Sequence, residues 1–117
     1  MPPRGGDASH ALEMAKALKG LVHAVNVTDG SRAVMRMSSL AVARLLLDEG
    51  IEPVLQMACR DRNRIAIQAD LLGAHALGIR NLLCLTGDPV RAGDQPKARP
   101  VNELESVRLL QQVTAFN

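Results

Sequence analysis

Three short apolar runs recur along the chain at intervals of roughly 30 residues, the length of one βα unit. They are Val22–Val27, Val54–Ala58 and Leu82–Thr86. The first runs into Thr28-Asp29-Gly30, the second follows Gly50 and Pro53, and the third meets Gly87-Asp88-Pro89, all of them strand punctuation. Such spacing leaves room for one helix between successive strands.

The intervening segments carry helical periodicity. Ser9 is placed to cap a helix with Leu12, Ala15 and Leu18 on one face, closed by Gly20. Ser38 or Ser39 is placed to cap a second, with Ala43, Leu46 and Leu47 inward and Gly50 at its end. A third helix is predicted from near Asp61 to Gly78, with Ile65, Ala69, Leu72 and Ala76 as its apolar stripe. A fourth is predicted over Asn102–Ala115, with Leu104, Val107, Leu110 and Gln111 near its inner face. Val90–Pro100 holds Gly93, Pro96 and Pro100 and reads as an exposed loop.

Alternation of this kind implies a parallel sheet with right-handed crossovers. A flavodoxin-like sheet and part of a (β/α)8 barrel both satisfy it. Two details favour the barrel. No glycine-rich phosphate loop follows the first strand, and polar residues end all three strands, where barrel enzymes hold ligands.

Composition narrows the function classes. With 47% hydrophobic residues the chain belongs among globular proteins. One Phe and no Tyr or Trp leave few rings to stack on bases, and a net charge of +2 comes from scattered basic residues. Nucleic acid is therefore not an expected partner. No apolar run approaches the roughly 18 residues of a membrane span. The opening MPPRGGDASH lacks a signal-peptide core, and neither Cys59 nor Cys84 sits in a CxxC or zinc spacing. A reduced cytoplasmic protein without a metal site is the expectation.

Chemistry, if present, belongs to the strand ends. Thr28-Asp29, Gln56 with Cys59, and Thr86-Gly87-Asp88 meet on one rim if the strands are neighbours. Such a rim offers hydroxyl, amide and carboxylate groups to a planar heterocycle, and Gly87 permits close approach to the backbone. The plainer reading is that Thr, Gly and Asp are ordinary βα-turn residues. Arg60, Arg62 and Arg64 open a helix and so suit an anion, or are simply solvated and paired with Asp70 and nearby acids around an Asp61 cap. His10, His23 and His75 show no metal spacing, and Cys59 has no evident base beside it.

Taken together, VNVTDG (Val25–Gly30), ACRDRNR (Ala58–Arg64), IAIQADLLGAHALGIRN (Ile65–Asn81) and LTGDP (Leu85–Pro89) resemble the methylenetetrahydrofolate reductase family, and the opening PPRG (Pro2–Gly5) is similar to the end of its first barrel strand. The resemblance runs over essentially the whole chain. It implies a (β/α)8 barrel holding FAD, which takes a hydride from NAD(P)H and passes it to methylenetetrahydrofolate, in the one-carbon route to methionine. It also implies that Thr28 contacts the flavin and that Gln56 stands where the family often has a flavin-contacting histidine. Thr86, Gly87 and Asp88 would form the segment whose carboxylate lies beside flavin and folate and tunes them electrostatically.

Two departures shape the remaining expectation. The family's glutamate shortly before the Pro-Pro pair has no counterpart, since Met1 directly precedes Pro2. The 117 residues are also less than half of the about 250 that a barrel uses. The expectation is thus a single N-terminal barrel portion over residues 1–117 with little or no activity alone. The alternative is a non-catalytic α/β module that associates with itself or with a complementary fragment through uncovered strand edges.

Overall fold

The computed structural model describes residues 1–115, so the last two positions of the 1–117 span lie outside the described residues. The elements run α1 (Ser9–Leu18), β1 (Val25–Val27), α2 (Ser39–Asp48), β2 (Pro53–Ala58), α3 (Arg64–Ala76), β3 (Asn81–Leu85) and α4 (Ser106–Ala115). Short 3₁₀ turns occupy Ser31–Ala33 and Val90–Ala92, after β1 and β3.

The strands form one parallel sheet in the order β1-β2-β3. Val27 is level with Leu55, and Met57 is level with Cys84. Because side chains alternate along a strand, this register puts Val27, Leu55, Met57, Leu82 and Cys84 on one face. Those residues pack with Ala15, Leu46, Ile67 and Leu109, one from each helix, in a single core. Asn26, Val54, Gln56, Leu83 and Leu85 belong to the opposite face and lie outside that core. Helices thus cover one side only. A flavodoxin-like sheet has helices on both faces, so the layout is that of a partial (β/α)8 barrel.

Several local expectations need correction. Strand β1 starts at Val25 rather than Val22, because Gly20 turns the chain and Lys19 forms an isolated parallel bridge with Val22. Ser9 is the first residue of α1, not its cap; the Asp7 carboxylate accepts from the Ser9 N–H instead. Leu18 is largely exposed at the end of that helix. Ser38 does cap α2, accepting from the Ala41 N–H at 3.3 Å. Helix α3 begins three residues after Asp61, with Asn63 as its cap through a 3.0 Å bond from the Ala66 N–H.

The larger correction concerns which faces are buried. Ile65 is 79% exposed and Leu72 59% exposed, whereas Ile67 is fully buried and Ala74 nearly so. The inner stripe of α3 is therefore Ile67, Leu71 and Ala74, an i, i+4, i+7 set displaced by two residues from the predicted one. Both stripes are apolar, and periodicity alone does not choose between them. In α4, which starts at Ser106, Leu109 and Val113 pack inward while Val107 and Leu110 are exposed. Leu104 is buried as expected, although it precedes the helix.

The register of α3 makes a testable contrast. Ile67→Ala should cost about 2–5 kcal/mol, as for other large-to-small changes in cores. Ile65→Ala should stay within about 0.5 kcal/mol. Urea unfolding of the two variants, compared at equal m-value, checks the assignment; equal losses would refute it.

Candidate rim site at the strand ends

Strand β1 is short, and a side chain completes what its backbone does not. Beyond Val27, the Asp29 carboxylate takes the place of a neighbouring strand, its Oδ2 accepting from the Ala58 N–H at 2.8 Å. The residue just past β2 turns the other way, with the Cys59 N–H donating to the Leu85 carbonyl at 3.0 Å. Arg62 donates to the same Asp29 oxygen at 2.7 Å and to Asp70 at 3.0 Å. The pairing of this arginine cluster with Asp70 was expected. The bond that Asp29 makes to a strand N–H was not, because a turn aspartate carries no mark of its long-range partner.

Arg60 is enclosed, at 6% exposure, which nothing in its charged neighbourhood predicts. Its Nε and Nη2 donate to the two oxygens of Asp61 at 2.8 and 2.7 Å. This fork holds the Asp61 carboxyl below its ordinary value, and the Arg60 guanidinium correspondingly above its own. Asp61 is thus an ion-pair partner and not the cap of α3.

Four of the sequence-derived candidates meet at the carboxyl ends of the strands, whereas Cys59 is buried in the core. Gln56, Thr86, Gly87 and Asp88, with Asp29 and Gly30, line a shallow pocket of about 200 Å³ between the strand ends. Thr28 directly follows β1 but does not line this pocket. Its hydroxyl is buried and has no hydrogen-bond partner among the described residues, an exception of the kind that calls for an explanation. The Asp88 carboxylate accepts from the Arg32 N–H at 2.6 Å rather than capping the following turn. The Thr86 hydroxyl lies just past β3 and accepts from the Ser106 N–H at 3.1 Å, which leaves its own proton free to donate.

A wider cleft of about 910 Å³ shares Thr86, Gly87 and Asp88 with the rim pocket and continues beneath the loop that precedes α4. Arg64, Arg91 and Arg108 line it, and none of their side chains pairs with a carboxylate among the described residues. The nearby acids serve the backbone instead. Glu103 accepts from the Arg64 N–H at 3.0 Å, and Glu105 from the N–H groups of Val107 and Arg108 at 3.0 and 2.9 Å. This basic lining was not found from sequence, since Arg91 and Arg108 are far from the ACRDRNR cluster and acquire meaning only through the fold. Cys59 and Cys84 are free, and burial pushes both thiols up, so neither is a ready thiolate.

One-sided helices on a three-stranded parallel sheet, with polar groups collected at the carboxyl ends of its strands, have the layout of a partial (β/α)8 barrel. The family model for methylenetetrahydrofolate reductase matches residues 1–115, and the chain belongs to that family. No curated protein sequence matches it. Among the described residues no helix is long and apolar enough to cross a membrane.

The Arg60–Asp61 fork has a pH signature. A carboxyl depressed on folding stabilises fully above its ordinary value of 3.8 and loses that contribution as pH falls through its lower folded value. Asp61→Asn should therefore melt below the wild type at pH 5–7, with the gap closing below about pH 4. A gap that stays constant down to roughly pH 2 would exclude the fork as its source. Thermal melts by circular dichroism across this range provide the measurement.

Proposed function

We propose that the rim holds the reactive part of a flavin, and that the chain serves as the flavin-side portion of a reductase acting on methylenetetrahydrofolate with NAD(P)H. The observation carrying this reading is the convergence of Gln56, Thr86, Gly87 and Asp88 on one pocket at the ends of adjacent strands, in a chain of this family. The residues fit FAD in two respects. Gly87 lines the pocket with backbone alone, since the place of a side chain there is taken by the stem of Arg60. The adjoining cleft, with Arg64, Arg91 and Arg108, suits the phosphates of a dinucleotide.

When bound, a flavin relays a hydride from a reduced nicotinamide to the folate. The protein's part is to bind and orient. Gln56 offers an amide donor and acceptor, and Thr86 offers a hydroxyl proton. Asp88 keeps acceptor capacity beyond its bond to Arg32, for hydrogen bonds from a pterin, and its charge opposes added negative charge on a nearby ring. Free thiols at Cys59 and Cys84 suit a reducing, cytoplasmic setting. An open three-stranded sheet offers only part of a barrel's ring of loops, so turnover by this chain alone is expected to be slight.

Addition of FAD to the purified chain tests this reading. The expected result is quenched flavin fluorescence and a shifted visible band. Gln56→Leu should weaken binding about 3- to 10-fold, the worth of one hydrogen bond. Wild-type protein that leaves the flavin spectrum unchanged up to about 1 mM would sink the proposal. Rapid reduction of menadione by NADH with this chain alone would refute only the claim of slight activity.

The uncovered sheet face favours a second reading. Among the described residues β1 and β3 each pair only with β2, and Leu83 on the open face is 42% exposed. A non-catalytic module with such edges pairs with itself or with a complementary fragment. Light scattering should then return a mass of at least two chains; a concentration-independent monomer with a cooperative melt would rule this out.

A further inference from the structure

Arg60 reaches every loop of the rim. Besides its fork to Asp61, Nη1 donates to the carbonyls of Gly30 at 3.3 Å and Asp88 at 3.2 Å. Its own carbonyl accepts from the Val101 N–H at 2.7 Å, tying in the segment before α4. An enclosed cation is unfavourable unless its donors are met, and here each guanidinium nitrogen has an acceptor. The surroundings also leave space for it. A Cβ at Gly30 would stand 2.7 Å from Nη2, and one at Gly87 would stand 2.9 Å from the Arg60 Cβ.

The turn on the far side of this contact is strained. Arg32 (φ 58°) and Ala33 (φ 56°) are both in the left-handed region without being glycine, where the side chain crowds the following carbonyl. Such conformations persist only where the surroundings over-determine them, and they cluster at functional sites. Within the turn the Ala33 N–H donates to the Gly30 carbonyl at 2.9 Å, and two contacts join it to the rest of the rim: Arg60 on the same Gly30 carbonyl, and the Asp88 carboxylate on the Arg32 N–H. Asp88 is in turn held at both ends, by Arg60 at its carbonyl and by Arg32 at its carboxylate.

We propose that Arg60 is the positioning residue of the rim: by holding the Gly30 and Asp88 carbonyls together, it keeps the Gly30–Ala33 turn left-handed and fixes the Asp88 carboxylate at the pocket. The functional consequence rests on the flavin reading above; the positioning itself is readable without any ligand. It differs from a stabilising ion pair in what it controls. Asp61 alone would satisfy a charge, whereas the two carbonyl contacts set the geometry of a third residue that Arg60 does not touch, Arg32.

Amide hydrogen exchange on the full ¹⁵N-labelled chain tests this, comparing wild type with Arg60→Met, Arg60→Lys and Asp88→Ala. The Arg32 amide should be protected in the wild type and exchange at least about tenfold faster in Arg60→Met and Asp88→Ala. Arg60→Lys, which keeps the charge but not the fork, should fall between. The amides of Leu55 and Met57 should stay protected, which separates loss of positioning from loss of fold. Should Arg60→Met fail to fold, Arg60→Lys gives the same readout. An Arg32 amide that exchanges as in the wild type in a folded Arg60 variant overturns the inference.

FAD titration of the same samples keeps the two proposals apart. An Arg60-dependent Arg32 amide in a wild type that ignores FAD supports the positioning role and sinks the flavin reading. Equal FAD binding by wild type and Arg60→Met, with Arg32 unchanged, does the reverse.

Discussion

Among the described residues, every pairing of strand with strand in the sheet passes through β2. Strands β1 and β3 do not meet; each is held by its own row of backbone bonds to Pro53–Ala58. The central strand therefore fixes the direction of its neighbours and, through the alternation of its side chains, decides which face receives the helices. Leu55 and Met57 point into the core with Ile67 and Leu46, while Gln56 between them belongs to the other face. The one-sided core and the position of the polar rim are two consequences of the same six residues.

The rim extends the sheet by other means. Where β1 has ended, Asp29 supplies a carboxylate to the Ala58 N–H, and Arg62 compensates its charge. Where β3 has ended, Thr86 reaches the first N–H of α4 and Asp88 reaches the N–H of Arg32. Side chains that sequence inspection assigns to ligands are thus partly engaged with the backbone. The plain and functional readings of a βα turn are not exclusive here. A threonine that accepts one bond still has a proton to give, and an aspartate with one oxygen engaged still has lone pairs. Thr28 departs from the pattern, since its buried hydroxyl has no such engagement among the described residues.

The alternation of helices with parallel strands was legible because it follows from short-range signals: β-branched runs, glycine stops and a spacing of one βα unit. The buried faces of α3 and α4 were not. Residues Ile65, Ile67, Leu71 and Leu72 present two overlapping apolar stripes, and only the direction in which α3 leaves Asn63 decides that Ile67 and not Ile65 turns inward. The cap itself was misplaced for a related reason. Asp61 and Asn63 are both competent caps, but the carboxylate of Asp61 is engaged by Arg60, which leaves the amide of Asn63 to begin the helix. Long-range polar partners, such as Asp94 holding both Arg4 and the Met35 N–H, have no local signature at all.

That competition explains why one arginine of the ACRDRNR segment is enclosed while its neighbours are not. Arg62 and Arg64 emerge where α3 is beginning, and they meet Asp29, Asp70 or the open cleft. Arg60 leaves β2 at its end, directly between the loops of β1 and β3, where it joins the Ala33 N–H on the Gly30 carbonyl and is the donor to the Asp88 carbonyl. Glycine at positions 30 and 87 follows from the same fact, because a side chain at either would occupy the volume of the guanidinium or its stem. An arginine and two glycines, spread over three separate segments of the sequence, thus form one packing unit. Substituting any one of them should shift the other two, and with them the carboxylate of Asp88.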